Sequence, residues 1–231
     1  MIPLHDDNPA EIMPIVTVAI IAVCVLVFLW QVSLGGQGFQ ATVYSLGAIP
    51  AVLLARVALP AELAIVPAYL TAVTSMFLHG GFMHLAGNML YLWIFGNNLE
   101  DVMGHLRFVI FYMLCGLAAV TGQVLQNPAS QVPMIGASGA VSGVLGAYLL
   151  LYPRALVLVL IPFGFYTRMI YLQAGWVLGL WFVIQIFSSL AADPNGAGVA
   201  WFAHIGGFLA GMALIPLFKY RRVALFHSGK Y

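Results

Sequence analysis

Apolar runs of about 20 residues recur along this 231-residue chain, and no other feature restricts its fold so severely. Twenty helical residues rise about 30 Å, the thickness of a bilayer's hydrocarbon core. Six such runs stand out: Pro14–Ser33, Phe82–Leu99, His105–Leu125, Ser138–Tyr152, Arg168–Leu190 and Val199–Phe218, each bounded by Gly, Pro, Asn or charged residues. The composition agrees, with 63% hydrophobic and 6% charged residues against roughly 45–50% and about 25% in soluble domains. The expected fold is an all-α membrane protein: a six-transmembrane-helix bundle with a long first loop.

Charge orients the bundle. Lys219, Arg221, Arg222 and Lys230 follow the last run, and Arg107, Arg154 and Arg168 lie in or beside the second and fourth connections, leaving only Arg56 for the other side. The positive-inside rule then places both termini in the cytosol. Residues 1–13 read as a cytosolic N-terminal segment, 14–219 as the helical domain and 220–231 as a basic tail. The N-terminus lacks the basic start and small-residue cleavage site of a signal peptide, so the first run is expected to remain as a span.

The connection from Leu34 to Gly81 is semi-apolar and broken by Pro and charge, which suggests short helices at the outer interface. Ala155–Thr167 is apolar but interrupted by Pro162 and Gly164, and reads as a hairpin or re-entrant turn. Cys24 and Cys115 lie inside apolar runs and behave as small hydrophobes. A net charge of +1 gives no reason to expect nucleic acid; the partners implied are lipid and molecules dissolved in it.

Polar side chains inside spans are costly, and four raise a functional question: His84, Asn88, Ser138 and His204. Counting to the cytosolic charge that ends each helix gives 16 residues from Ser138 to Arg154, 15 from His204 to Lys219 and 16 from His84 to Glu100. At 1.5 Å per residue all three lie about 22–24 Å above the inner boundary, in one layer. The small-residue stripes Ser138/Ser142/Gly146 and His204/Gly207/Gly211 would let their helices approach backbone to backbone and bring the serine to the histidine.

A serine hydroxyl becomes a nucleophile when a neutral imidazole accepts its proton. No carboxylate shares the layer, so the arrangement reads as a Ser–His dyad without an orienting acid. His84 and Asn88, one turn apart, could supply oxyanion donors together with the Ser138 N–H at its helix start. A transporter would need ionisable residues along a path through the membrane, and the inner halves of these helices offer almost none. No HExxH motif supports a metal site on the histidines.

Three separated motifs, HGGFMHLAGN at His79–Asn88, GASG at Gly136–Gly139 and AHIGGFLAG at Ala203–Gly211, resemble in order and spacing those of the rhomboid intramembrane serine proteases. The resemblance implies a serine endopeptidase without metal or cofactor. It would cut transmembrane protein substrates within or next to their membrane helix, with Ser138 as nucleophile, His204 as general base, and His84 and Asn88 binding the oxyanion. It implies supporting roles for His79, Glu100, Gly136, Gly207 and Gly211. A pseudoprotease of the same fold typically lacks the dyad retained here.

Two positions depart from the family pattern. The first-loop Trp-Arg pair is absent, and Ser142 stands where relatives often carry a Tyr beneath the histidine, so another group must orient His204. The bare six-span form suggests, by analogy, a prokaryotic plasma membrane with the site opening outward. AADPNGAG, Ala191–Gly198, is a plausible lid, and the fifth span a candidate lateral gate.

Overall fold

The computed structural model describes residues 1–163, 166–191 and 198–227. In chain order, strand β1 (Ile2–Asp6) precedes α1 (Ile15–Ser33), and α2 (Gly35–Leu46), α3 (Pro50–Leu53) and α4 (Ala68–Thr74) occupy the first long connection. Then come α5 (Phe82–Met103), α6 (His105–Gln126), α7 (Ser138–Leu151), a hairpin of β2 (Leu156–Phe163) and β3 (Tyr166–Gln173), α8 (Ala174–Ala191) and α9 (Trp201–Phe218).

The short helices expected between the first two runs are present as α2 to α4. The apolar segment after α7 is a hairpin, as expected, but its second strand continues to Gln173. The helix expected from Arg168 therefore starts at Ala174, as α8: YTRMIYLQ is rich in aromatic and β-branched residues and pairs across β2, from Leu156↔Gln173 onward. The N-terminal segment is also more ordered than a tail, because β1 adds an antiparallel third strand to β2 with a bulge between Pro3 and His5.

Among the described residues four helices, α1, α6, α8 and α9, are long and apolar enough to cross a membrane. Their outward faces carry large exposed apolar side chains such as Leu26, Leu29, Trp176, Phe187 and Leu190, which only a hydrocarbon environment satisfies over so wide a belt. The chain is a multi-pass membrane protein.

α7 is different. It has only 14 residues, is buried almost throughout from Gly139 to Tyr148, and packs against α5, α6, α8 and α9. Its length of about 21 Å falls roughly 9 Å short of a 30 Å core. Its first residue, Ser138, lines a cavity between the helices.

Two features fix the base of the bundle. The Glu100 carboxylate, fully buried, accepts from Val16 N (2.9 Å), Thr17 N (2.8 Å) and Thr17 Oγ1 (2.8 Å), and His105 Nδ1 meets the same group. Those N–H groups open α1 and have no partner within the helix, so the carboxylate caps them and complements the positive end of the helix. Asp6 of β1 is buried and accepts from Asn98 Nδ2 of α5 (2.9 Å) and the Tyr148 hydroxyl of α7 (2.6 Å), tying the sheet to the central helices.

Candidate active site

The loop before α7 is built to present Ser138. Ala48 and Met134 exchange backbone hydrogen bonds (2.9 and 2.8 Å), and Gly136 N donates to Ser75 O (2.9 Å), so the first long connection holds the loop at both ends. Gly136 has φ +121°, a conformation that favours glycine. A Cβ there would lie 2.7 Å from His84 Nε2 and 3.6 Å from Asn88 Nδ2. Its bare Cα is what lets the His84 imidazole of α5 reach the start of α7, whereas the Asn88 amide would meet a Cβ only in ordinary contact.

Ser138 and His204 meet. The Ser138 Oγ lies 2.8 Å from His204 Nε2, within hydrogen-bond reach. The equal depth inferred from residue counts corresponds to direct contact.

The stripe that makes this possible keeps the expected Gly146, Gly207 and Gly211 but uses Gly139 and Gly143 where Ser138 and Ser142 were expected. The close approach runs along Gly139, Gly143 and Gly146 of α7 and Gly207 and Gly211 of α9. A Cβ on Gly207 would collide with the Gly139 carbonyl, one on Gly211 with the Gly143 carbonyl, and one on Gly146 with the Phe208 carbonyl. At such separations even the smallest side chain is excluded, whereas the serines use their hydroxyls: Ser138 toward His204, Ser142 as donor to the Ser138 carbonyl (2.6 Å).

His204 is 9% exposed and held on several sides. Trp181 lies over its ring at 5.8 Å with a 35° tilt, and Trp201 meets it edge-on at 6.1 Å. Its Nδ1 lies 2.8 Å from Oε1 of Gln185 on α8. Gln185 is a residue of this site that sequence reasoning passed over. Its signal was a single amide within the apolar run WFVIQIF.

Asn88 is 8% exposed, and its Nδ2 has no hydrogen-bond partner among the described residues. A buried donor left unmet is costly, and this one faces the loop carrying the serine. His84 stands one turn earlier and packs edge-to-face on the buried His79 ring (5.2 Å). Among the described residues no three His, Cys, Asp or Glu side chains converge on a point that could hold a metal.

All of this opens on a cavity of about 1120 Å³ lined by Ser138, His204, His84, Asn88, Trp181 and Gln123 among others. Its volume accommodates a stretch of polypeptide. Most of the expected lid, residues 192–197, lies outside the described residues.

Comparison with known proteins agrees with the geometry. The Rhomboid domain model matches residues 67–221. Rhomboid protein 1, mitochondrial, of Saccharomyces cerevisiae is 31% identical over 152 residues, covering 62% of this chain and 40% of that protein. RHOMBOID-like protein 2 of Arabidopsis thaliana is 36% identical over 143 residues, 62% of this chain and 40% of that protein. Rhomboid protease GluP of Bacillus subtilis is 42% identical over 77 residues, 33% of this chain and 15% of that protein. The matched part is thus less than half the length of each of these relatives, and their spread over yeast, plant and bacterium does not select one membrane. With the family model covering more than half of its residues, including all three motifs, the chain belongs to the rhomboid family.

Proposed function

We propose that the protein is an intramembrane serine endopeptidase working through a Ser138–His204 dyad. The observation that carries this reading is the 2.8 Å contact between Ser138 Oγ and His204 Nε2 in the lining of a cavity, beside a buried amide donor, Asn88 Nδ2, that has no other described partner.

His204 Nε2 takes the hydroxyl proton as Ser138 Oγ attacks the scissile carbonyl carbon. The oxygen of that carbonyl becomes an anion, met by Asn88 Nδ2, His84 and the Ser138 backbone N–H at the helix start. Collapse of the intermediate breaks the C–N bond, and His204 returns the proton to the leaving amine. Water then attacks the acyl-enzyme with His204 again as base. His79 steadies His84, Gly136 admits the His84 imidazole, and Gly207 and Gly211 seat the dyad. Glu100 acts at a distance, by capping α1.

In this reading residues 14–219 form a six-span protease domain with both termini and the basic 220–231 tail in the cytosol, and the cavity opens to the outer side. Substrates are transmembrane proteins. A helix offers no free peptide carbonyl to a nucleophile, so the cut segment must unwind, which favours Gly or small residues near the scissile bond. α8 serves as the lateral gate: its buried side is thin, limited to Ala174, Val177, Leu178 and Gln185.

A fluorophosphonate probe tests the activation of the serine. Wild type should be labelled on Ser138, with labelling lost in His204→Ala; equal labelling of that variant would remove the dyad from the account.

A further inference from the structure

The geometry points to Gln185 as the positioning residue that holds His204 in its proton-accepting form, a role that rests on the proposed dyad. A neutral imidazole accepts from a serine at Nε2 only when its single proton sits on Nδ1. In triads a buried carboxylate enforces that tautomer. Here the Nδ1 partner is an amide oxygen, Gln185 Oε1, at 2.8 Å.

The orientation of that amide is itself determined. Gln185 Nε2 donates to the Trp181 carbonyl one turn back (3.1 Å). A flipped amide would set its oxygen against the Trp181 carbonyl oxygen and turn N–H groups toward Nδ1, placing the imidazole proton on the wrong nitrogen. Gln185 is 4% exposed, so no bulk water replaces either bond. The Ser142 hydroxyl, at the position where relatives often carry a Tyr, donates to the Ser138 carbonyl (2.6 Å), and the partner that meets His204 Nδ1 is the Gln185 amide oxygen.

The arrangement also places the orienting group on a different helix from either dyad member. Withdrawal of α8 from α9 by more than about 1 Å takes Gln185 beyond hydrogen-bond reach of Nδ1. The base is aligned only while α8 is seated.

The test uses the full chain in proteoliposomes with a model transmembrane substrate. Gln185→Met keeps length and volume but removes the acceptor; Gln185→Glu restores an acceptor. The role predicts that Met lowers kcat about 10- to 100-fold with KM changed less than about twofold, and that Glu retains more activity than Met. A packing role predicts the reverse order, since Met suits an apolar site and a buried carboxylate does not, and that order would overturn the inference. Should either variant fail to fold, nitrogen NMR of wild type labelled at histidine decides independently: a His204 signal of the Nδ1–H tautomer supports the role, and the Nε2–H tautomer refutes it. Activity that survives Ser138→Ala would overturn the proposed function instead, leaving the tautomer result to judge Gln185 on its own.

Discussion

Replacing Gly207 by alanine asks whether the closeness of α7 and α9 sets the reactive geometry. Alanine suits a helix better than glycine, so any harm must come from contact. The new Cβ would meet the Gly139 carbonyl far inside the 3.4–4 Å of ordinary contact. Backbone carbonyls of a buried helix cannot swing aside, so α9 must withdraw by about 1 Å, at a cost of about 1–3 kcal/mol in stability. His204 lies one turn away on the same helix, and its 2.8 Å bond to Ser138 would lengthen to about 3.8 Å, beyond hydrogen-bond range. A misplacement of that size costs about 100-fold in rate. The assay is steady-state cleavage of a fluorogenic transmembrane substrate in proteoliposomes, with the thermal midpoint recorded alongside. Gly179→Ala serves as control, because nothing lies within 4 Å of a Cβ there, and it should match wild type. A folded Gly207→Ala protein with wild-type kcat would refute the reasoning.

Three further outcomes are expected. Asn88→Ala should lower kcat about 10²- to 10³-fold while changing KM little, as measured in the same assay, since the proposed mechanism uses its donor only for the developing oxyanion. Glu100→Ala strands three donors held at 2.8–2.9 Å and should destabilise the protein by on the order of 3–5 kcal/mol in a denaturant titration in micelles, with Glu100→Gln less severe; unchanged midpoints would remove the cap from the account. Burial raises the Asp6 pKa from 3.8 to about 6, with hydrogen bonding from Tyr148 opposing the shift. The folded state therefore holds a proton that the unfolded chain releases, so stability falls as pH rises from about 4 to 6, by about 3 kcal/mol, and is flat above. Asp6→Asn should flatten that part of the thermal-midpoint profile; an identical slope in both proteins would exclude Asp6 as its source.

What could be seen in the sequence follows the range of the interactions. Of the six expected spans, the four that reappear among the described residues as long apolar helices, α1, α6, α8 and α9, were legible because lipid demands apolar runs of fixed length, and the contact of Ser138 with His204 was legible because rise per residue converts counting into depth. The contact stripe was right at Gly146, Gly207 and Gly211 but one residue off at Ser138 and Ser142, where Gly139 and Gly143 make the approach, since a periodicity of small residues does not distinguish serines that use their hydroxyls from glycines in close contact. β1 was missed because IPLHD becomes a strand only by pairing with Leu156–Phe163, more than 150 residues away. Gln185 was visible as a polar residue in an apolar run, yet its partner, His204 Nδ1, belongs to another helix, and nothing local marks the pair.

The central claim, hydrolysis by the Ser138–His204 dyad, is tested most directly by purified protein reconstituted with a model transmembrane substrate, comparing wild type with Ser138→Ala and His204→Ala. The account predicts cleavage within or beside the substrate's membrane helix by wild type and its loss in both folded variants. Undiminished cleavage by either variant would contradict it.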